Sequence, residues 1–418
     1  MVQSKQVIVV GAGLSGLCCA RTLQRAGVEA HIYEASDGVG GRVRTDTWEG
    51  FLLDRGFQVL FTAYPAIREE MDLDALRLQA FTPGAIICRA SEKHMLVDPR
   101  RAPAHLLAAA MSPLMSVSDK LRAFQLAMTI GKRTVPEIFT MEDQTLGAYL
   151  QKSGFSGMFL DQIVRPFFGG IFLERQLETS VRMFAFVFKM LSEGDTAVPE
   201  AGMGALGQQL ADSLAPGTLH LNSPVEALLW QGERITGIRL QDGTEIIADR
   251  VVLATQADVA ARLMGREFPV HWRTSTTAYF ALPEPLDTGK LLVLFPEAQY
   301  INHAVMMSNV APSYAPPGQH LLSVTLLGQT DLPDEEIVRR ITTDLLLSFP
   351  EARPDTWRLL RIYRIPWAQF AQPAGIWEQL PDADTGIPGL ILAGEITQSS
   401  SLHGALTAGR VAAQRAMA

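Results

Sequence analysis

A glycine triplet caught between an apolar strand and an apolar helix constrains this chain more than any other feature. Gln6–Val10 reads QVIVV, the short apolar run expected of a parallel strand buried on both faces. Gly11-Ala-Gly13-Leu-Ser-Gly16 follows directly. Leu14 to Ala26 then carries apolar residues at 14, 17, 20 and 23, which is helical spacing, and Gly27 is a stop signal. Glu29–Tyr33 resumes as a second strand, and Glu34 closes it 21 residues after Gly13. The turn between strand and helix has a physical task at each glycine. Gly11 permits the tight turn, Gly13 lets a pyrophosphate approach the backbone, and Gly16 lets helix and strand pack closely. Leu14, Ser15 and Gly16 open a helix whose free N–H groups and positive dipole end favour phosphate. Glu34, with Ala35 beside it, suits the adenosine ribose hydroxyls, and its charge repels a 2′-phosphate. The glycine pattern alone is weak; with strand, helix and acid all placed, it predicts dinucleotide binding.

NAD and FAD both fit such a unit. Gly38-Val-Gly40-Gly41-Arg42 follows Glu34, a second glycine-rich turn ending in a cation. A plain NAD half-site does not need it, whereas a larger dinucleotide lying across the domain can use Gly41 and pair its pyrophosphate with Arg42. Gly389–Ala393 (GLILA) is a late buried strand, and Ala405–Met417 reads as a terminal helix. Two glycine-rich strand ends, near residues 11 and 394, would lie at the carboxyl edge of one parallel sheet, where such folds bind ligands.

At this point the sequence resembles the flavin amine oxidase superfamily, in particular its carotenoid (phytoene) desaturase and protoporphyrinogen oxidase-like branch, over essentially the whole chain. GAGLSGL at 11–17, Glu34 and VGGR at 39–42 look like its N-terminal signature. Leu53-Asp54-Arg55-Gly56-Phe57-Gln58 looks like its loop beside the flavin, which implicates Gly56, Phe57 and Gln58. Ser223-Pro224-Val225 resembles the strand whose valine backbone contacts adenine. Leu392-Ala-Gly394-Glu395 resembles the late motif that places Glu395 on the ribityl chain. Ser401-Leu402-His403-Gly404-Ala405, then Gly409-Arg410, resembles the closing helix whose N-terminus, around Leu402 and Ala405, faces the flavin pyrimidine ring. The resemblance implies an α/β fold: a discontinuous Rossmann-like FAD-binding domain (1–80, 200–265 and 375–418) with an inserted mixed helix-and-sheet substrate domain (81–199 and 266–374, helical part then sheet part). It also implies hydride transfer from a carbon centre of an apolar substrate, a polyene, porphyrinogen-like molecule or bulky amine, to flavin N5. Oxygen or a quinone would be the electron acceptor. Amine oxidation proper and a flavin-fold carrier of an apolar ligand are the alternatives.

Two departures narrow the reading. Many amine oxidases keep a lysine on a substrate-domain strand, but the strand most like it by chain order, Thr274–Phe280, carries none; Lys290 lies ten residues further on. No cysteine follows Cys88, so a C-terminal thioether to the flavin is impossible and FAD is expected to be non-covalent. On the substrate side, Asp161-Gln-Ile-Val-Arg165-Pro-Phe-Phe-Gly-Gly170 sets aromatics beside an arginine. Phe167 and Phe168 either border the cavity or pack the helical part. Arg165 wants a carboxylate, either Asp161 or an acidic substrate. Trp367 is read as a cavity wall or as core, and His403 as a hydrogen-bonding support rather than an acid or base.

Gly202-Met-Gly204-Ala-Leu-Gly207 repeats the regular expression. What precedes it, Ala197-Val-Pro-Glu-Ala201, is no buried strand, and no acid closes a second strand about 20 residues on. It resembles instead the family's helix start, here Pro199-Glu-Ala-Gly-Met203.

Composition excludes other classes. With 44 acidic against 36 basic residues the chain carries −8, which gives no cationic footprint for nucleic acid. Three cysteines build no disulfide framework, and no histidine pairs with Cys or Asp at a metal-ligand spacing, so no metal is expected. Met1–Gln6 runs straight into a short strand, which argues against a secretory leader and for the cytoplasm. Apolar residues make up 47% and charged ones only 19%. The best apolar stretch, Ala102–Ser118, is shorter than a span and holds Pro103 and Pro113. Peripheral contact with a bilayer stays open. Residues 81–196 read mostly as helices, including 119–130, 145–153 and the apolar core helix Val181–Leu191. From Gly217 onward short strands dominate.

Overall fold

The computed structural model describes residues 6–89, 92–97 and 113–418. The apolar stretch 102–112 and the first five residues lie outside them.

The first βαβ unit forms as its pattern requires: strand Gln6–Val10, helix Leu14–Arg25, strand Glu29–Tyr33. These strands sit inside a five-stranded sheet, all parallel, in the spatial order 219–220, 29–33, 6–10, 250–253, 390–392. Ile8, Val9, Val251, Val252 and Leu392 are fully or almost fully buried, as expected of strands covered on both faces. The helix Leu14–Arg25 packs on one face together with the last helix, Leu402–Met417. Their crossing is close because Gly409 has no side chain: a Cβ there would stand 2.3 Å from the Ser15 carbonyl oxygen. The opposite face carries a three-stranded antiparallel meander, 225–231, 234–240 and 245–247.

A seven-stranded mixed sheet forms the second body, in the order 358–370, 272–282, 320–327, 301–306, 292–294, 84–89, 92–97. Its outer face holds Ala278, Phe280, Leu322 and Val324 against the helix Asp334–Ser348. Its inner face looks toward the helices Leu146–Lys152, Arg165–Phe172 and Val181–Glu193 and merges with the main core. The helix Val181–Glu193 buries Met183, Phe184, Phe186, Val187 and Met190, so its apolar circumference is core packing.

One expectation is corrected. Gly84–Arg89 and Glu92–Val97 fall in the stretch read as mostly helical and are strands. Their partner explains it: Ala85, Ile86 and Ile87 pair in parallel with Leu292, Val293 and Leu294, some two hundred residues later. The sheet thus begins inside the segment assigned to helices. The hairpin Thr45–Trp48 with Phe51–Asp54 and the helices Ala257–Met264 and Asp334–Ser348 are further elements beyond the expected ones. No helix of the described residues is long and apolar enough to cross a membrane.

Candidate functional site

The parallel strands end together at one edge, and the conspicuous loops of the sequence lie on it. Gly11 adopts φ +102°, where a Cβ would meet the Ala254 carbonyl oxygen at 2.8 Å. Gly16 stacks directly on the first turn, since a Cβ there would lie 1.9 Å from the Gly11 oxygen. Gly13, by contrast, has open space where its Cβ would be and begins the helix with no side-chain cap. An uncapped helix N-terminus behind an unobstructed glycine is a phosphate cradle.

The second glycine turn locks onto the first. Gly40 N donates to Ala12 O at 2.8 Å, and a Cβ on Gly41 would lie 3.2 Å from Gly13 Cα. Glu34 is fixed from two sides: Oε2 accepts from Ala12 N at 2.7 Å, and Oε1 accepts from Ser36 N and Ser36 Oγ at 2.8 and 2.7 Å. Ala35 follows it, and Ser223 N donates to Glu34 O, which brings the 223–225 strand start alongside.

Arg42 and Glu395, 353 positions apart, form an ion pair at 2.6 Å. Arg42 also donates to Ala368 O at 3.2 Å, and Ser400 Oγ donates to Glu395 Oε2 at 3.0 Å. Gly394 turns at φ +101° after the last parallel strand. The final helix is capped by Ser401, whose side chain accepts from Gly404 N, and Ser15 Oγ donates to Ala405 O at 2.5 Å. Gln58 closes the Gly56–Phe57 loop by donating to the carbonyls of Arg42 and Arg55. The structure thus brings Gly11–Gly16, Glu34, Gly41, Arg42, Gly56–Gln58, Gly394, Glu395, Leu402 and Ala405 to one connected edge. Val225 lies at its far end, where the meander starts.

His403 Nδ1 accepts from Ala66 N at 3.2 Å, and its ring stacks near Tyr64 and Phe186. Burial lowers its pKa to about 4, so the imidazole is neutral and supports the helix start. Arg165 is satisfied within the protein: Nε donates to Asp161 at 2.9 Å and a guanidinium N–H to Arg175 O at 2.6 Å. That disposes of its need for an acidic substrate. Phe168 is buried against Phe172 and Phe184 as part of the core, and the half-buried ring of that pair is Phe167. Trp367 is 43% exposed on the edge strand Arg358–Phe370.

Asp54, in the Leu53–Gln58 segment, is a perturbed carboxyl beside this edge. It is buried, accepts from Thr45 Oγ1, Met203 N and Tyr314 Oη, and desolvation pushes its pKa up to about 6. Nothing local in the sequence marks it, because beyond Thr45 of the same hairpin its partners, Met203 and Tyr314, come from two distant segments.

A phosphate cradle on a five-stranded parallel sheet, joined to a second sheet-and-helix body, defines an FAD-dependent oxidoreductase. The cradle fits the cofactor, since Gly13 leaves the approach open and Arg42 stands beside it. The chain belongs to the flavin containing amine oxidoreductase family, whose model matches residues 14–417. It is 23% identical over 467 residues to 15-cis-phytoene desaturase of Synechococcus elongatus, covering 99% of this chain and 96% of that protein. It is 23% identical over 441 residues to hydroxysqualene dehydroxylase of Sinorhizobium fredii, covering 99% and 98%. The crystal structure of a putative protoporphyrinogen oxidase from Exiguobacterium sp. 255-15 shares the fold, with TM-score 0.76, 18% identity and 99% of each chain covered.

Proposed function

We propose that the chain oxidises a carbon centre of an apolar substrate bound between the inner face of the seven-stranded sheet and the helix Arg165–Phe172. One observation carries this reading. Phe57, Phe167, Ile171 and Ile365 are apolar and only half-buried, and the strand Trp272–Leu282 that passes beside Phe57 carries no lysine. Half-buried apolar side chains where the sheet meets the helix suit an apolar ligand. The full-length relatives, whose names speak of phytoene and hydroxysqualene, agree with such a substrate.

FAD, held without a covalent link, would supply the two-electron acceptor, with oxygen or a quinone as the onward oxidant. The chain's own residues position and shield. The turns at Gly11–Gly16 and Gly40–Gly41 hold the phosphates, Glu34 the ribose, and Arg42 with Glu395 the middle of the cofactor. The helix capped by Ser401 would offer its positive end to a bound flavin, where it would favour negative charge. The neutral, hydrogen-bonded His403 offers no free base, so positioning and exclusion of water do the work. The cofactor-binding part comprises the segments up to about 80, 200–265 and 375–418; the remainder, with strands 84–97 in its sheet, holds the substrate.

The helix Val117–Gly131 fits delivery from an anionic bilayer. Val117, Leu121, Phe124 and Met128, spaced i, i+4, i+7 and i+11, are 84, 59, 57 and 48% exposed. Lys120, Arg122, Lys132 and Arg133 accompany them against a single acid, the buried Asp119, in a chain of net −8. An apolar stripe with a local excess of cations matches a negatively charged lipid surface.

Anaerobic titration of the FAD-loaded protein with phytoene, protoporphyrinogen and benzylamine tests the chemistry. Bleaching by one of the first two is expected; bleaching by the amine alone would overturn the reading, as would a protein that stays colourless after incubation with FAD. Sedimentation with vesicles tests the helix. Binding to phosphatidylglycerol, loss of it on Leu121→Asp with Phe124→Asp, and little binding to phosphatidylcholine are expected.

A further inference from the structure

Opposite Phe57 lies a polar group that the mechanism above leaves idle. His303, on the strand Ile301–Met306, faces the inner side of the sheet, cross-strand from Thr325, which pairs with Thr277. The two threonine hydroxyls are 3.4 Å apart, and Phe57 N donates to Thr277 Oγ1. The buried imidazole meets the Phe57 ring edge-on, with centroids 4.8 Å apart. Gly170 makes the room: a Cβ there would stand 2.8 Å from Asn302 Nδ2 and 3.2 Å from His303 Nδ1.

The neighbouring hydrogen bonds fix which nitrogen carries the proton. Arg175 Nε donates to Asn302 Oδ1 at 3.3 Å, and a second N–H of that guanidinium donates to Ile301 O at 3.1 Å. A guanidinium only donates, so the Asn302 amide nitrogen must point the other way. There it donates to Pro166 O at 3.1 Å and faces His303 Nδ1, also at 3.1 Å. Nδ1 is therefore an acceptor and the proton sits on Nε2. Burial holds the ring neutral by lowering its pKa to about 3. Nε2 is itself buried and has no hydrogen-bond partner in the protein. Buried donors are normally paired, and one held in a single tautomer beside the half-buried Phe57 ring is poised for an acceptor.

We infer that His303 Nε2 is a specificity-determining donor that binds a neutral oxygen, a hydroxyl or carbonyl, on an otherwise apolar substrate. The inference rests on the apolar-substrate reading and narrows it, favouring an oxygen-bearing molecule over a plain hydrocarbon. A carboxylate would want a cation at this spot, and the nearby one, Arg175, is spent on Asn302 and the Ile301 carbonyl. Asn302 and Arg175 act through His303 and are positioning residues.

The test uses the FAD-loaded protein and three probes of one length, octanal, 1-octanol and octane, with perturbation of the flavin absorbance as the readout. Octanal and octanol should bind about tenfold more tightly than octane, the yield of one hydrogen bond. His303→Phe should erase that preference without weakening octane, and His303→Gln, which keeps an N–H donor, should restore part of it. Equal binding of all three by the wild type, or a preference that survives His303→Phe, would overturn the inference and leave the apolar-substrate reading standing. No binding of any probe would overturn both. A second measurement needs no variant to fold: in ¹⁵N-histidine-labelled protein the Nε2–H signal should shift with octanal and stay put with octane. A signal on Nδ1 instead, or one indifferent to octanal, would also overturn the inference.

Discussion

The chain contains the same glycine pattern twice, and the two copies do opposite things. At Gly11–Gly16 the middle glycine, Gly13, faces open space. At Gly202–Gly207 Met203 N donates to Asp54 Oδ1 at 2.9 Å, and the middle glycine is closed: Gly204 N donates to Thr45 Oγ1 at 2.8 Å and a Cβ there would lie 3.0 Å from Thr45 N. Both copies thus spend the second amide on a protein carboxylate, Ala12 N on Glu34 and Met203 N on Asp54, and the difference lies at the middle glycine. The glycines also differ in what they spare. A Cβ on Gly202 would strike Thr45 at 2.5 Å, and one on Gly207 would approach Gly40 Cα at 2.7 Å. The second copy is therefore a packing device against Thr45 and the Gly38–Arg42 turn, and what distinguishes a nucleotide loop is the open approach at its middle glycine rather than glycine spacing.

Alanine substitutions break the comparison most sharply. Gly202→Ala forces φ +88° and the Thr45 clash on a side chain, and it should cost about 3 kcal/mol in thermal stability. Gly13→Ala meets no protein atom, so its melting temperature without added FAD should stay close to the wild type. Its Cβ stands in the cofactor's approach, and flavin affinity should fall about 100-fold. If the two variants showed the same pattern in both assays, the contrast between the loops would be wrong.

Asp54 gives the next effect. Its carboxyl titrates at about 6 in the fold and near 3.8 unfolded, so the native state holds the extra proton between those values. Stability then drops as pH rises from about 4 to 6 and is level above, by about 3 kcal/mol. Asp54→Asn removes that term: the stability difference between variant and wild type should move in the variant's favour across this window and nowhere else. A difference independent of pH, read from denaturant melts at pH 4 and 7, would show the carboxyl is not the internal anion argued for here.

Glu34→Ala should give the smallest change, about 2 kcal/mol in FAD retention for the lost charged acceptor. Titration of the apoprotein with FAD measures it, and an unchanged affinity would remove Glu34 from the ribose.

How much of this was legible follows from how local each signal is. The βαβ unit and the strands 250–253 and 390–392 could be read because strands buried on both faces are unbroken apolar runs. The helix Asp334–Ser348 was legible in principle, since Ile337, Ile341 and Leu345 mark its buried stripe at i, i+4 and i+8; the charges between them hid it. The hairpin 45–54 turns on Glu49-Gly50, both at positive φ, a pair with a weaker turn signal than Asn-Gly. Arg42 with Glu395, Asp54 with Tyr314, and His303 with Asn302 and Arg175 are products of tertiary assembly. Residue types alone could nominate some of these groups, but only the assembled sheet says that Arg165 is spent on Asp161 or that Phe168 belongs to the core.

The strand order of the parallel sheet has a consequence for how the molecule comes into being. Strand 6–10 lies between 29–33, made at once, and 250–253, made more than two hundred residues later; 390–392 completes the row last. During synthesis the apolar edge of the first strand has no partner while most of the chain is still being added. The cofactor cradle therefore cannot close until nearly the whole sequence is available, with the helix Leu402–Met417 sealing it. Such late, long-range pairing is slow and exposes sheet edges to association, so the nascent chain should depend on chaperones more than its size suggests.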